Sequence, residues 1–73
     1  MTLHNFELTR EFITLDSLLK LLTIAPSGGI AKMMVSCGEV EVNGEVELRK
    51  TRKMRVGDVV RVHGEEIRIS AGA

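Results

Sequence analysis

Five bases fall within seven residues of this chain: Arg49, Lys50, Arg52, Lys53 and Arg55. Side chains of this kind at this density neutralise phosphates or pair with acids. A second anion-binding element is written at Ser27-Gly28-Gly29, with Lys32 one turn further on. Serine is a strong helix N-cap. The turn that follows it presents free N–H groups and a partial positive charge. Two glycines there let a phosphate approach the backbone with no Cβ in the way. Each element has a plainer reading. The basic run can be a solvated loop paired with nearby Glu, and the glycines can serve a tight turn between two helices. Both readings stay open at this stage.

Other reactive side chains are poorly placed for chemistry. Cys37 has no His or Asp near it in sequence and ends an apolar stretch, so we expect a buried or half-buried small hydrophobe. His4, His63 and Cys37 share no metal-ligand spacing, so no metal site is expected. Ser27 has no general base beside it and reads as a cap rather than a nucleophile. Catalytic residues, cofactors and a small-molecule substrate are therefore not expected. Met33, Met34 and Met54 read as core filler. There is no Trp or Tyr, and only Phe6 and Phe12. Both are expected in the core, which leaves little for stacking bases as single-strand readers do. A nucleic-acid partner would be held through phosphates and shape.

The zero net charge of the chain hides an asymmetry. Residues 1–48 carry three bases against seven acids, net −4; residues 49–73 carry seven bases against three acids, net +4. Screening cuts exposed charge effects beyond about 8–10 Å, so the local patch matters more than the sum. The 73 residues suffice for one domain, 44% of them hydrophobic and 27% charged. No apolar run approaches the roughly 20 residues that span a bilayer. The start has no basic-then-apolar leader, and one cysteine makes no internal disulfide. A reducing cytosol and no membrane partner are the expectation.

The elements that must position these residues follow from periodicity. Residues 6–12 alternate weakly and predict an N-terminal strand. Thr14 is an N-cap candidate, and Leu15, Leu18, Leu19 and Leu22 follow at the spacing of one helical face. Pro26 is expected to end that helix. A second helix runs from Gly28 to Cys37, with Gly38 as its stop. Its apolar residues exceed one stripe, so Ile30, Met33 and Cys37 need cover. After Gly38 the period becomes two. Val40 and Val42 lead into Asn43-Gly44, a strong hairpin signal because a type I′ turn needs positive φ at both positions. Val46 and Leu48 follow in the return strand, then the basic loop, Met54 and Val56. Gly57-Asp58 and His63-Gly64 mark turns around Val60 and Val62, and Ile67 with Ile69 marks a last strand. Residues 70–73 are small and expected to fray. The fold class is α+β: an αα-hairpin on a small, mainly antiparallel sheet of about four to five strands.

The ordered pieces Thr14-Leu15-Asp16-Ser17-Leu18-Leu19, Ser27, Ala31, Met34-Val35, Gly38, Val40, Val42-Asn43-Gly44 and Gly57-Asp58 resemble one family. It is the RNA-binding domain named for the fourth small-subunit ribosomal protein, the S-four domain, whose helical hairpin is called the alpha-L motif. The resemblance covers about residues 14–62 of a single domain, 1–73, and is closest to the small stand-alone bacterial members. It implies binding of structured RNA, rRNA or tRNA or a ribosomal particle, by the start of the second helix and the loop after the hairpin. Carried onto this chain, that implicates Ser27 and Lys32 on the helix and Arg49, Lys50, Arg52 and Lys53 in the loop; Gly28 and Gly29 join the expected RNA-binding residues from the helix-start argument above, and Arg55 from the basic run. Gly28 stands where the family often has Arg, and Ile13 where a base often precedes the leucine helix. Two phosphate contacts of the pattern are thus absent.

Two other functions compete. A protein-interaction module would use the apolar excess of the second helix. A sulfur carrier would share the small size and Gly-Asp turn, but it needs a terminal Gly-Gly where this chain ends Gly72-Ala73, and a hairpin before its helices.

Overall fold

The computed structural model describes residues 2–72; Met1 and Ala73, the latter part of the expected frayed tail, lie outside the described residues. Nine elements follow in order: β1 (Thr2–Leu8), β2 (Ile13–Thr14), α1 (Leu15–Leu21), α2 (Gly28–Ser36), β3 (Val40–Val42), β4 (Glu45–Val46), β5 (Lys53–Met54), β6 (Val59–Val62) and β7 (Glu65–Ala71). The class is α+β. Two helices cover one face of a five-stranded sheet of order β1-β7-β6-β3-β4, and β2 pairs with β5 as a separate ribbon. The sheet is antiparallel except at β1 and β7, which run parallel.

Leu15, Leu18 and Leu19 of α1 and Ala31, Met34 and Val35 of α2 are buried. They meet Val40, Val42, Val60, Val62, Ile67 and Ile69, the inward-facing residues of alternating strands. Asn43 and Gly44 take φ of 52° and 87°, as the hairpin turn requires. Ser27 caps α2, its Oγ accepting from the Ile30 N–H at 3.2 Å. Gly38, at φ 78°, stops the helix.

Several expectations need correction. α1 ends at Leu21, before Pro26 acts. Thr23 turns the chain at φ 58°, and the Ile24 and Ala25 N–H groups both donate to the Leu19 carbonyl. Thr14 occupies the N-cap position without a capping bond. Its hydroxyl donates to Ser17 Oγ, because the α1 N–H groups find other partners described below. The first strand spans 2–8 rather than 6–12. Residues 70 and 71 belong to β7, and the Gly72 N–H donates to the Leu8 carbonyl, so the tail is pinned through residue 72. Cys37 is exposed, as are Ile30 and Met33, because α2 covers the sheet with one face only. Val56 sits exposed in a turn.

The return strand holds the largest inversion. Val46 and Leu48 are 57% and 61% exposed, while Glu47 between them is only 7% exposed. The alternation therefore buries the acid and turns the aliphatics outward.

Candidate nucleic-acid interface

Glu47 explains its own burial. Its Oε2 accepts from the Arg49 backbone N–H at 3.0 Å and from Arg49 Nε at 3.2 Å. Its Oε1 accepts from Arg49 Nη2 at 3.2 Å and from Arg52 Nη1 at 2.7 Å. A buried carboxylate is costly unless charge-assisted bonds fill its lone pairs, and here they do. The bonds from Arg49 and then Arg52 hold the Glu47 carboxyl down at about 2, against a burial effect that pushes upward. Bonding to Glu47 likewise raises Arg49 above its ordinary value.

The middle of the basic loop is fastened to α1. The Leu15 N–H donates to the Arg52 carbonyl at 2.9 Å, and the Asp16 N–H donates to the Lys50 carbonyl at 3.0 Å. Orphan donors of a helix start are thus satisfied by loop carbonyls. The far end is closed by the two motif pairs that the sequence marks. Asn43 Nδ2 donates to Asp58 Oδ1 at 3.0 Å, and the Arg55 N–H donates to Asp58 Oδ2 at 2.8 Å. The Val59 N–H in turn donates to Asn43 Oδ1 at 2.9 Å. Asn-Gly and Gly-Asp, fifteen residues apart, form one clamp on the loop.

Held this way, Arg49, Thr51, Arg52, Lys53 and Arg55 line one open groove. Arg52 is partly covered and tied to Glu47; Arg49 bonds the same carboxylate but leaves 74% of its side chain in solvent. Among the described residues, no carboxylate pairs with the side chains of Lys50, Lys53 or Arg55. Ser27, Gly28, Gly29 and Lys32 contribute no side chain to this groove. Ser27 caps α2 and the other three stand on it, Lys32 exposed. A Cβ at Gly28 would meet nothing within 4 Å, and one at Gly29 only Ser27 Oγ at 3.9 Å. Neither has positive φ. The fold therefore does not require glycine at either position, which removes the steric reason for the tight-turn reading.

Two residues of this region are placed otherwise than their sequence pattern predicts. Glu47 was hidden by the Val46 and Leu48 alternation, although an acid followed two and five residues later by Arg is a readable signal. Phe12 was expected in the core. In the ribbon, Ile13 faces Met54 and Thr14 faces Lys53. Ile13 and Met54 are buried, so Phe12, Thr14, Lys53 and Arg55 share the outer face. The Phe12 ring is accordingly only partly buried, with Lys53 Nζ 5.0 Å and Arg55 Cζ 6.0 Å from its centroid. These are cation–π distances. Among the described residues there is no cluster of three or more metal-ligating side chains, and no helix is long and apolar enough to cross a membrane.

Comparison with known proteins bears on this surface. A family model described as the S4 domain, the S-four domain of the sequence reading, matches residues 6–70. The probable ribosome maturation protein RlbA of Bacillus subtilis is 50% identical over 54 residues, 74% of this chain and 76% of that protein. The putative RNA-binding protein YbcJ of Escherichia coli is 37% identical over 59 residues, 81% of this chain and 84% of that protein. The solution structure of YbcJ, described as revealing an alfaL motif involved in RNA-binding, matches with a TM-score of 0.65 at 32% identity. That match covers 97% of this chain and 89% of the YbcJ chain. With a helical hairpin, an Asn-Gly hairpin and a clamped basic loop in the order the motifs predict, the chain belongs to the S4 domain family.

Proposed function

We propose that this RNA-binding module is non-catalytic and grips structured RNA by its phosphates, with the basic groove as the main contact and the start of α2 as the second. The observation that carries the reading is the fastening of the loop. Glu47 neutralises only Arg49 and Arg52 in part, while Lys50, Lys53 and Arg55 have no acid partner among the described residues and stand on a backbone fixed at both ends. Preorganised cations of this kind lose little entropy on meeting phosphate. At α2, the glycines that the fold does not need leave the Gly28 and Gly29 backbone open to an anion. The name of one relative, a probable ribosome maturation protein, favours ribosomal RNA or a ribosomal particle over tRNA as the partner, met in the bacterial cytoplasm on this reading.

Filter binding of a ribosomal RNA fragment at several salt concentrations tests this. Contacts to three or four phosphates give a slope of log K against log salt of roughly −2 to −4. Lys50→Ala with Lys53→Ala should flatten it by about one to two units and leave melting unchanged. An unaltered slope would remove the loop from the interface. Gly28→Glu, placing a carboxylate where a phosphate should sit, should weaken binding without lowering stability, since helix starts tolerate acids.

A protein-interaction reading keeps one supporting observation: Ile30 and Met33 are 38% and 57% exposed on α2. Capture of a partner that survives RNase treatment would favour it. The carrier reading gains no support from residue 72, whose N–H is bonded to the Leu8 carbonyl.

A further inference from the structure

A second groove lies beside the basic one, lined by Arg10, Phe12, Ile13, Thr14, Ser17 and Leu21 together with Glu11. Phe12 joins the two. Its ring lines the second groove, and it is flanked by Lys53 of β5 and by Arg55 just after that strand, which line the first. The two grooves differ in charge. The lining of the basic one is cationic, with no acid among its described residues, whereas the second sets one cation, Arg10, against one acid, Glu11, beside an aromatic ring, an exposed Leu21 and the Thr14 and Ser17 hydroxyls. With its charges balanced, the second groove draws a phosphate less than the basic one does. A nucleobase needs no net charge, because its face stacks on a ring and its amino edge donates to carboxylate or hydroxyl oxygen.

Resting on the RNA reading above, we propose that this groove receives one unpaired nucleobase of the bound RNA, stacked on Phe12, while its phosphate lies against Lys53 and Arg55. The module then reads a bulged or looped nucleotide next to the paired region whose backbone it holds. Phe12 is the residue that selects the unpaired base, and the cations held at cation–π distance from its ring set the register between base and phosphate.

The test compares a short RNA duplex with the same duplex carrying one bulged adenosine. Wild-type protein should prefer the bulged form. Phe12→Leu keeps an apolar side chain of similar reach without the ring. It should lose about tenfold on the bulged duplex and nothing on the paired one, with the salt slope unchanged. Phe12→Trp creates the only tryptophan of the chain. It should bind as wild type does, and its emission should be quenched by the bulged duplex alone. Equal wild-type affinity for both duplexes, an unaffected Phe12→Leu or an unquenched Phe12→Trp at saturation would each overturn the proposal while leaving phosphate binding in place. Absence of wild-type binding to either duplex would overturn the RNA reading itself, and this inference with it. The Arg49→Ala protein separates the two layers: Arg49 lines the basic groove and not the second one, so its loss should weaken both duplexes alike.

Discussion

Two nearly buried glutamates in this small protein do the same chemistry in different surroundings. Glu47 takes Arg49 and Arg52; Glu66, 4% exposed, takes Arg61 at 2.9 Å and Arg68 at 2.7 Å. Bonds from two guanidiniums lower the carboxyl of each, from Arg49 first at Glu47 and from Arg68 first at Glu66. Their backbones differ. Glu66 and Arg61 face each other across the β6–β7 ladder, and Arg68 stands two residues further along the same strand. Strand pairing already places all three. Residues 47–52 belong to no strand, and Glu47 supplies bonds that would otherwise be missing there. One chemical device therefore decorates a sheet in one region and shapes a loop in the other. The worth of an ion pair depends on how much of its geometry something else has fixed.

Glu47→Ala gives the largest expected effect on that comparison. It removes four hydrogen bonds from the loop and leaves Arg52 without its carboxylate. Losing bonds to a charged acceptor should cost about 1–3 kcal/mol in urea unfolding. RNA affinity should fall about tenfold, because the loop cations lose their fixed spacing. Glu66→Ala should lose less stability and leave RNA affinity unchanged. Equal effects of the two substitutions on affinity would break the distinction between loop and sheet.

Within the loop, Arg52 should matter more to shape and Arg49 more to contact. Arg52 leaves only 30% of its side chain exposed, makes the 2.7 Å bond and offers its carbonyl to Leu15. Arg49 is 74% exposed and reaches solvent while still bonded. Arg52→Ala should lower the melting temperature with part of the affinity. Arg49→Ala should flatten the salt slope by about one unit with melting preserved. A reversed pattern would exchange their roles.

How much of this was legible follows from the same contrast. Positions governed by backbone demand were readable: Asn43-Gly44 by positive φ, Ser27 by its cap, Gly57-Asp58 by its turn. The change of period at Gly38 revealed the two layers. Glu47 was not readable from alternation, because its face is set by the register against β3: Val46 faces the exposed Glu41, and the Glu47 N–H continues the pairing onto the carbonyl of the buried Val40. The parallel pairing of β1 with β7 joins residues about sixty apart, and no local pattern encodes it. Phe12 was misread for a related reason. Its face is fixed by Met54 opposite Ile13, a contact across forty residues of chain. The basic residues were recognisable by type, but which of them are spent on Glu47 and which remain free depends on the fold.

Acid titration sharpens the comparison with a smaller effect. The Glu47 carboxyl falls from its ordinary 4.5 to about 2 in the fold. A group lowered on folding contributes stability that is fully present above its unfolded value and lost as pH falls through the folded one. Stability should therefore decline between about pH 4.5 and 2, and Glu47→Gln should remove part of that decline while starting from a lower value. Unfolding midpoints measured across this window check it. A Glu47→Gln profile as steep as wild type would mean that Glu47 is not the group titrating.

The smallest expected effect belongs to Arg68, and it carries the sharpest negative. Arg68 bonds Glu66 at 2.7 Å, shorter than three of the four Glu47 bonds, so distance alone would rank it high. Its side chain is 60% exposed, however, and its backbone is held on both sides, by β1 and by β6. Removing it leaves Arg61 on the same carboxylate, so no buried charge is stranded. Arg68→Ala should shift the melting temperature barely, within the range of an exposed pair, and should leave both RNA affinity and salt slope as they are. Should Arg68→Ala flatten the salt slope as Arg49→Ala does, the sheet face would have to be counted as part of the RNA surface. The division between a decorated sheet and a shaped loop would then fail at its most ordinary residue.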